Sequence, residues 1–445
     1  MLASGQWTAE KARAWYDAQP WPLGFNGYPS NCVNRVAMWQ KHRHAEVFAQ
    51  IGREFDLARD TGFNAVRAIV QFEVWRDERA SFLANLDEYL DLAAARGLRV
   101  MLCLGNDCCA PRARYRYAPG EQPVEWGYHS GTKWSPHSGD FREPGWQPLD
   151  DPAQAPMYDE MCDELAARHA HDPRLFVWDV WNEIGNGNRG DLSVPAMRRF
   201  FGILRARNVD QPLTADVWRL WGGELHPAPE EDEALALSDV VTFHCYSPFH
   251  EFVRAVEALR AKTDRPLICN EWLNRIEGNT VETVLPFLRE RKIGSFHWGL
   301  IQGYSQTYEP WGAYFEAQKR GERKDLRLWQ HDLYRFNGFP YDPRETDLFR
   351  SLAPAGPRSG RRPAAQRNWR AAPIRMRMSA SVFAPRAKMR PKPSIMCVAR
   401  ASSVKPVSSS ISRQCASIVW RIFEDAGGET SSSGLGSGPG PSEAR

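Results

Sequence analysis

Phe176-Val-Trp-Asp-Val-Trp-Asn-Glu183 runs as an apolar, aromatic strand straight into a carboxylate and is followed at once by Ile184-Gly-Asn-Gly187. The pattern returns in Arg265-Pro-Leu-Ile-Cys-Asn-Glu271-Trp272, another short apolar run ending in Asn-Glu. Working outward from these two, short runs rich in Val, Ile, Phe and Trp recur beside turn signals. They lie at 22–26, 65–70, 99–105, 176–181, 213–218, 240–246, 267–270 and 295–300. Helical spacing falls between them at 79–96, 157–169, 249–262, 281–292 and 326–336. In the first of these, Phe82, Leu86, Tyr89, Leu90 and Ala93 share one face, and Gly97 stands where a helix end wants a left-handed residue. Eight strand–helix alternations predict an α/β fold, a closed (β/α)8 TIM barrel rather than an open sheet. The one long gap, 106–156, carries Trp126, Tyr128, His129, Trp134, His137 and Trp146. A gap of that length is read either as a lid or binding loop or as an irregular packed insertion.

In such a barrel the C-terminal strand ends build the active site. Glu183 and Glu271 then stand at the ends of the fourth and seventh strands. A pair of carboxylates suits cleavage of a glycosidic bond. The leaving oxygen is a poor alkoxide that must be protonated, and the oxocarbenium-like centre needs a carboxylate beneath it. One carboxyl must hold a proton while its neighbour is ionised, which burial and mutual repulsion arrange. A single strand-end Glu often does no more than cap a helix. Spacing alone leaves the roles of the two unassigned.

The residues around them carry a family resemblance. Gly24-Phe-Asn-Gly-Tyr-Pro-Ser30, Met38-Trp-Gln40, Gly62-Phe-Asn-Ala-Val-Arg67, Trp178-Asp-Val-Trp-Asn-Glu183, Phe243-His-Cys-Tyr246, His297-Trp-Gly299 and Asn337-Gly-Phe-Pro-Tyr-Asp342 span about Trp21 to Arg350. Over that range the chain resembles clan A of the glycoside hydrolases. Within the clan it looks like glycoside hydrolase family 5 and its close relatives, the bacterial cellulase-, xylanase- or mannanase-like proteins. The resemblance implies a retaining O-glycosyl hydrolase acting on β-linked glucan, mannan or xylan oligosaccharides. It makes Glu183 the acid/base and Glu271 the nucleophile. Asn182 would hold the sugar 2-hydroxyl, and Arg67 would keep Glu271 ionised and aimed. The Tyr246 hydroxyl would meet the nucleophile, His244 would lie near the glycone sugar, and Trp298 on the eighth strand would floor the site. The commonest family pattern has a histidine near the end of the third strand. Here that strand closes Leu104-Gly-Asn-Asp107, so Asp107 or Asn106 is expected to bond sugar hydroxyls instead.

Composition bounds the rest. Residues 351–445 carry 16 Lys and Arg against four acids, a balance of +12, which leaves −9 on residues 1–350 of a total of +3. Residues 353–445 are rich in Ser, Pro, Arg, Ala and Gly and lack periodicity. They are expected to form a low-complexity, disordered basic tail after a catalytic domain at 1–352. An acidic body excludes a general nucleic-acid binder. The nine cysteines and the histidines show no zinc-ligand spacing, so no metal and no cofactor is expected, and the cysteines read as reduced thiols. No signal-peptide pattern and no bilayer-length apolar run is visible, so no membrane partner and a cytoplasmic location are expected. The partner expected is a carbohydrate substrate, and the oligomeric state is not readable. Two other functions fit the same residues: a transglycosylase, in which a sugar replaces water, and a non-catalytic carbohydrate-binding barrel.

Overall fold

A computed structural model describes residues 2–133, 143–226 and 228–354. Eight strands form one sheet: β1 Leu23–Asn26, β2 Ala65–Ile69, β3 Arg99–Asn106, β4 Leu175–Asn182, β5 Leu213–Ala215, β6 Val241–His244, β7 Leu267–Glu271 and β8 Gly294–His297. Their order is β5-β4-β3-β2-β1-β8-β7-β6, and the paired strands run parallel. The ring closes between β5 and β6 through a parallel bridge from Val217 to Phe243. The helices are α1 Ala9–Asp17, α2 Arg35–Trp39, α3 His44–Thr61, α4 Phe72–Ala94, α5 Ala155–His169, α6 Val194–Ala206, α7 Pro229–Leu237, α8 Phe249–Lys262, α9 Val281–Glu290, α10 Gly312–Lys319 and α11 Pro343–Leu352. This is the (β/α)8 TIM barrel that the alternation predicts. Among the described residues no helix is long and apolar enough to cross a membrane.

All eight expected strands are present, with shifted ends. Four expected helices are present too. The one expected at 79–96 begins earlier, at Phe72, with a backbone break at Glu78 (φ −130°) beside the expected start. Its buried Phe82, Leu86 and Leu90 each contribute about 1.5–3 kcal/mol by leaving water. The fifth, expected at 326–336, is a correction: this segment is irregular. The Arg275 guanidinium takes the carbonyls of Trp329, His331 and Asp332, and Asp332 adopts a left-handed φ of 52°. Those carbonyls are therefore unavailable to a helical ladder, and tertiary bonding overrides the apolar spacing.

The two ends of the barrel differ in chemistry. At the strand starts, Trp7 and Tyr16 of the N-terminal segment pack with Ala65, Met101, Val177, Ile268 and Phe296 in one apolar cluster. The Trp7 amide donates to Asp239 at 2.9 Å, and Arg265 donates to the Trp7 carbonyl at 2.9 Å, so this segment stoppers the barrel from below. Gly24 is required here, because a Cβ on it would lie 2.3 Å from the Phe296 ring. At the strand ends the interior turns polar, and the site lies there.

The long segment between β3 and α5 is anchored at both ends. His129 and Gln147 are buried, and Gly127 and Glu125 are tied to Gln306. Trp134 and His137, noted in the sequence, lie outside the described residues. So does the expected tail from residue 355 onward. Its first residue, Ala353, packs against the hydrophobic core after α11. Cys32, Cys103, Cys162, Cys245 and Cys269 are buried thiols.

Candidate active site

Arg67, the central residue of β2, is the hub of the barrel mouth. Its side chain is fully buried, and every arm of the guanidinium is used. Nε donates to Asp179 at 2.7 Å. Nη1 donates to Asn26 at 3.0 Å and to Glu271 Oε1 at 2.7 Å. Nη2 donates to Asn182 at 2.6 Å and to Asp216 at 2.8 Å. A planar fork with five donors is what such a convergence needs, and lysine could not supply it. Asn26 passes the connection on by donating to the Asn270 carbonyl at 2.8 Å, and Asn270 donates to Asp216 at 2.6 Å.

Glu271 closes β7 and is 5% exposed. Arg67 holds one of its oxygens, and the Tyr246 hydroxyl donates to the other at 2.8 Å. Glu183 follows β4 directly, with a left-handed φ of 49°. A non-glycine residue there costs about 1 kcal/mol or more and persists where the surroundings enforce it. Its Oε2 accepts from the Asn186 side chain, and its Oε1 accepts from His244 Nδ1 at 2.8 Å. Carboxylate oxygens of Glu183 and Glu271 and a ring nitrogen of His244 lie within 4.8 Å of one another. Such a trio could also hold a cation, but the His244 ring nitrogen already lies between the carboxylates.

The electrostatics follow from burial and pairing. Burial alone would strip the proton from His244. Glu271 and Asp216 outweigh that and raise its pKa to about 10. As an imidazolium it reaches Asp216 through Nε2 at 3.2 Å and Glu271 through Nδ1 at 3.4 Å. Burial pushes the Glu271 carboxyl up, the negative Glu183 adds to this, and His244 and Arg67 pull it back. Burial and the neighbouring Asp216 charge push Asp179 up to about 7. Asp216 moves the other way: Arg67 and His244 overcome its burial. Two cations thus face four carboxyls at the barrel mouth.

This fixes a pH dependence. The His244 ring, with an ordinary value of 6.5, is raised by folding. Its charge therefore stabilises the fold in full below about 6.5, and the contribution fades as pH rises through about 10. The difference in Tm between wild type and His244→Asn should be constant below about pH 6.5 and shrink above it. A difference that widens toward pH 10 would contradict the charged histidine.

Of the residues expected from the sequence, Glu183, Glu271, Arg67, Asn182, His244 and Tyr246 come together. Trp298 stands one residue beyond β8 rather than in it, half-buried, with its amide donating to the Trp272 carbonyl at 3.0 Å. Asp107, expected as a sugar ligand, does not join them. It is 0% exposed. Its Oδ1 accepts from Gln147 at 2.5 Å and Ser193 at 2.6 Å, its Oδ2 from the Gly185 amide at 2.7 Å, and Arg189 lies 3.2 Å away. Both oxygens are engaged, and Gly185, Arg189 and Ser193 tie Asp107 to the loop after Glu183. Asn106, the other candidate, is the one that reaches the site, accepting from Asn182 Nδ2 at 2.7 Å.

Asp179 and Asp216 were missed. The available signal was a lone aspartate inside each otherwise apolar strand run, since a charge is buried there only when paired. The aromatic surround was also missed. The Tyr246 ring meets Trp311 at 5.2 Å and His331 at 5.4 Å between centroids. His129, from the long β3–α5 segment, backs Trp311 and accepts from its indole N–H at 3.3 Å.

The description "Cellulase (glycosyl hydrolase family 5)" belongs to the family model that matches residues 22–302. No curated protein matches the chain. Among solved structures, an exo-β-1,4-mannosidase from Opitutaceae bacterium strain TAV5 is 20% identical, with a TM-score of 0.45 over 79% of this chain and 62% of that one. The chain therefore spans less than two thirds of that protein's length. A GH5_18 protein from Streptomyces cattleya, solved with GlcNAc, is 16% identical, with a TM-score of 0.49 over 80% of this chain and 82% of that one. A β-1,4-mannanase from the sea hare Aplysia kurodai is 14% identical, with a TM-score of 0.45 over 63% and 88%.

Proposed function

The chain belongs to glycosyl hydrolase family 5, and from that premise we propose a retaining β-glycosidase in which Glu271 is the nucleophile and Glu183 the acid/base. The observation that carries this reading is the approach of the Glu183 and Glu271 carboxylates to within 4.8 Å. Retaining glycosidases keep their carboxyls about 5–5.5 Å apart, whereas inverting ones leave room for a water between them.

In the proposed cycle Glu271 attacks the anomeric carbon as Glu183 protonates the glycosidic oxygen, so that bond breaks and the aglycone departs as an alcohol. A glycosyl ester on Glu271 remains. Glu183, now a carboxylate, takes a proton from water, which attacks the same carbon and releases Glu271. Two inversions give net retention. Arg67 and Tyr246 favour the ionised nucleophile by hydrogen bonding it. The substrates proposed are β-linked glucan, mannan or xylan oligosaccharides. A panel of aryl β-glucosides, β-mannosides and β-xylosides tests which sugar is taken.

The Glu183 role has its own signature. Glu183→Ala should slow hydrolysis of β-glycosides with poorly acidic leaving groups by about 10²–10⁴-fold. Cleavage of a dinitrophenyl β-glycoside, whose leaving group needs no proton, should be affected far less. Added azide should give the β-glycosyl azide. Equal losses for both leaving groups would contradict the acid/base assignment.

A further inference from the structure

Beyond Asn106 the mouth continues into a second cavity over the β2 and β3 ends. Its inner lobe, about 50 Å³, is lined by Arg35, Glu73, Asn106 and Trp146 among others. Its outer lobe, about 380 Å³, shares Glu73 and Trp146 and adds Arg76, Arg112 and Arg116. Asn106 bonds Asn182, the residue before Glu183, so the inner lobe abuts the catalytic pair.

Two features of this cavity are not accounted for by the fold. The first is its charge. Arg76 is matched by Asp77 at 2.6 Å. Arg35, Arg112 and Arg116 pair with no carboxylate among the described residues. Arg35 donates to Gln71 at 3.1 Å, Arg112 lies over the Trp146 ring at 4.3 Å, and Arg116 donates to the Tyr115 carbonyl at 2.6 Å. Three arginines without an ion pair among the described residues, Arg35 on the inner lobe and the exposed Arg112 and Arg116 on the outer, run against the acidic balance of residues 1–350. The second is Glu73, 2% exposed, whose Oε1 has no hydrogen-bond partner among the described residues. Burial pushes its carboxyl up, and Arg35 and Arg76 pull it back. A buried acceptor left open is destabilising, and a ligand hydroxyl would satisfy it.

We propose that this cavity is an accessory glycan subsite for a sugar residue carrying an anionic group, either a carboxylate or a sulfate ester. Arg35, Arg112 and Arg116 face the anion, and Glu73 accepts from a ring hydroxyl. A neutral sugar's hydroxyls accept from guanidinium groups but leave their charge uncompensated, whereas guanidinium–oxyanion bonds are the strong, charge-assisted kind. The assignment rests on the glycosidase reading, because the ligand is taken to be part of the glycan that reaches Glu183 and Glu271.

The test is binding to the full chain carrying Glu271→Gln, so that no turnover intervenes. Calorimetry would compare β-linked tri- and tetrasaccharides bearing one glucuronate with their carboxyl-reduced counterparts, and 6-O-sulfated ones with their unsulfated counterparts. The anionic member of at least one pair should bind about tenfold tighter or more, and the pair that does so identifies the anion. Arg112→Gln with Arg116→Gln should bring the two members of that pair to within about twofold of each other. Equal affinity within both pairs overturns the proposal, as does a preference that survives the double substitution. Wild-type turnover of aryl β-glycosides separates the two readings. Turnover without anionic preference sinks the subsite alone, and anionic preference without turnover sinks the catalytic reading alone.

Discussion

Glu271→Ala is expected to lower turnover of an activated aryl β-glycoside by at least about 10⁴-fold, because the covalent step loses its nucleophile. The shape of the site survives the change. Arg67 still has Asp179, Asp216 and Asn182 as partners, and Tyr246 still packs on Trp311 and His331. The truncated side chain leaves a space beneath the anomeric carbon, and azide should enter it and restore part of the rate. Its attack on the face opposite the leaving group gives the α-glycosyl azide, inverted relative to the β-substrate. Full activity in the variant would remove Glu271 from the mechanism. Rescue with the β-azide would exchange the roles of the two glutamates.

Arg67→Met is expected to damage both stability and activity. The guanidinium is the only cation in contact with Asp179 among the described residues. Its loss leaves Asp179 buried without a charge partner and leaves Asp216 and Glu271 with His244 alone. Breaking a buried charge network by removing one side costs about 3–5 kcal/mol, which corresponds to a fall in Tm of about 4–7 °C for a domain of this size. Turnover should fall as well, since Glu271 is then biased toward its protonated, non-nucleophilic form. The activity loss should be partly recovered toward higher pH, as Glu271 ionises. Arg67→Lys should rescue little of either, because a single ammonium cannot reach the carboxylates of Asp179, Asp216 and Glu271 together. A variant with native Tm and native turnover would show that the hub is dispensable.

How much of this was readable depends on how local the cause is. The barrel was legible because each strand announces itself within a few residues: an apolar β-branched or aromatic run, then a turn. The ends were less so, because hydrogen bonds to neighbouring strands set them. Helix α3 carried a readable signal in Val47, Ile51, Phe55 and Ala58, all buried, yet it was not among the expected helices. The segment at 326–336 had helical spacing and still did not form a helix, because Arg275, far away in sequence, holds its carbonyls. The site divides in the same way. Glu183 and Glu271 stood out because they end strands, and Tyr246 because it lies two residues from His244. Asp179 and Asp216 act through partners far away in the chain, Arg67 at 112 and 149 residues and, for Asp216, His244 as well, so a lone aspartate in an apolar run does not by itself disclose their role. Asp107 also depends on residues far from it in the chain. Its position after β3 fitted a sugar ligand, but Gln147, Gly185 and Ser193 converge on it from outside its own neighbourhood.

The most direct test of the paired-carboxylate account is the configuration of the first sugar released. Proton NMR would follow hydrolysis of an aryl β-glycoside by the wild-type chain on a timescale faster than mutarotation. Double displacement through Glu271 predicts that the β-hemiacetal forms first and the α-anomer appears only as it equilibrates. Initial release of the α-anomer would mean a single displacement by water and would contradict the assignment of Glu271 as a nucleophile.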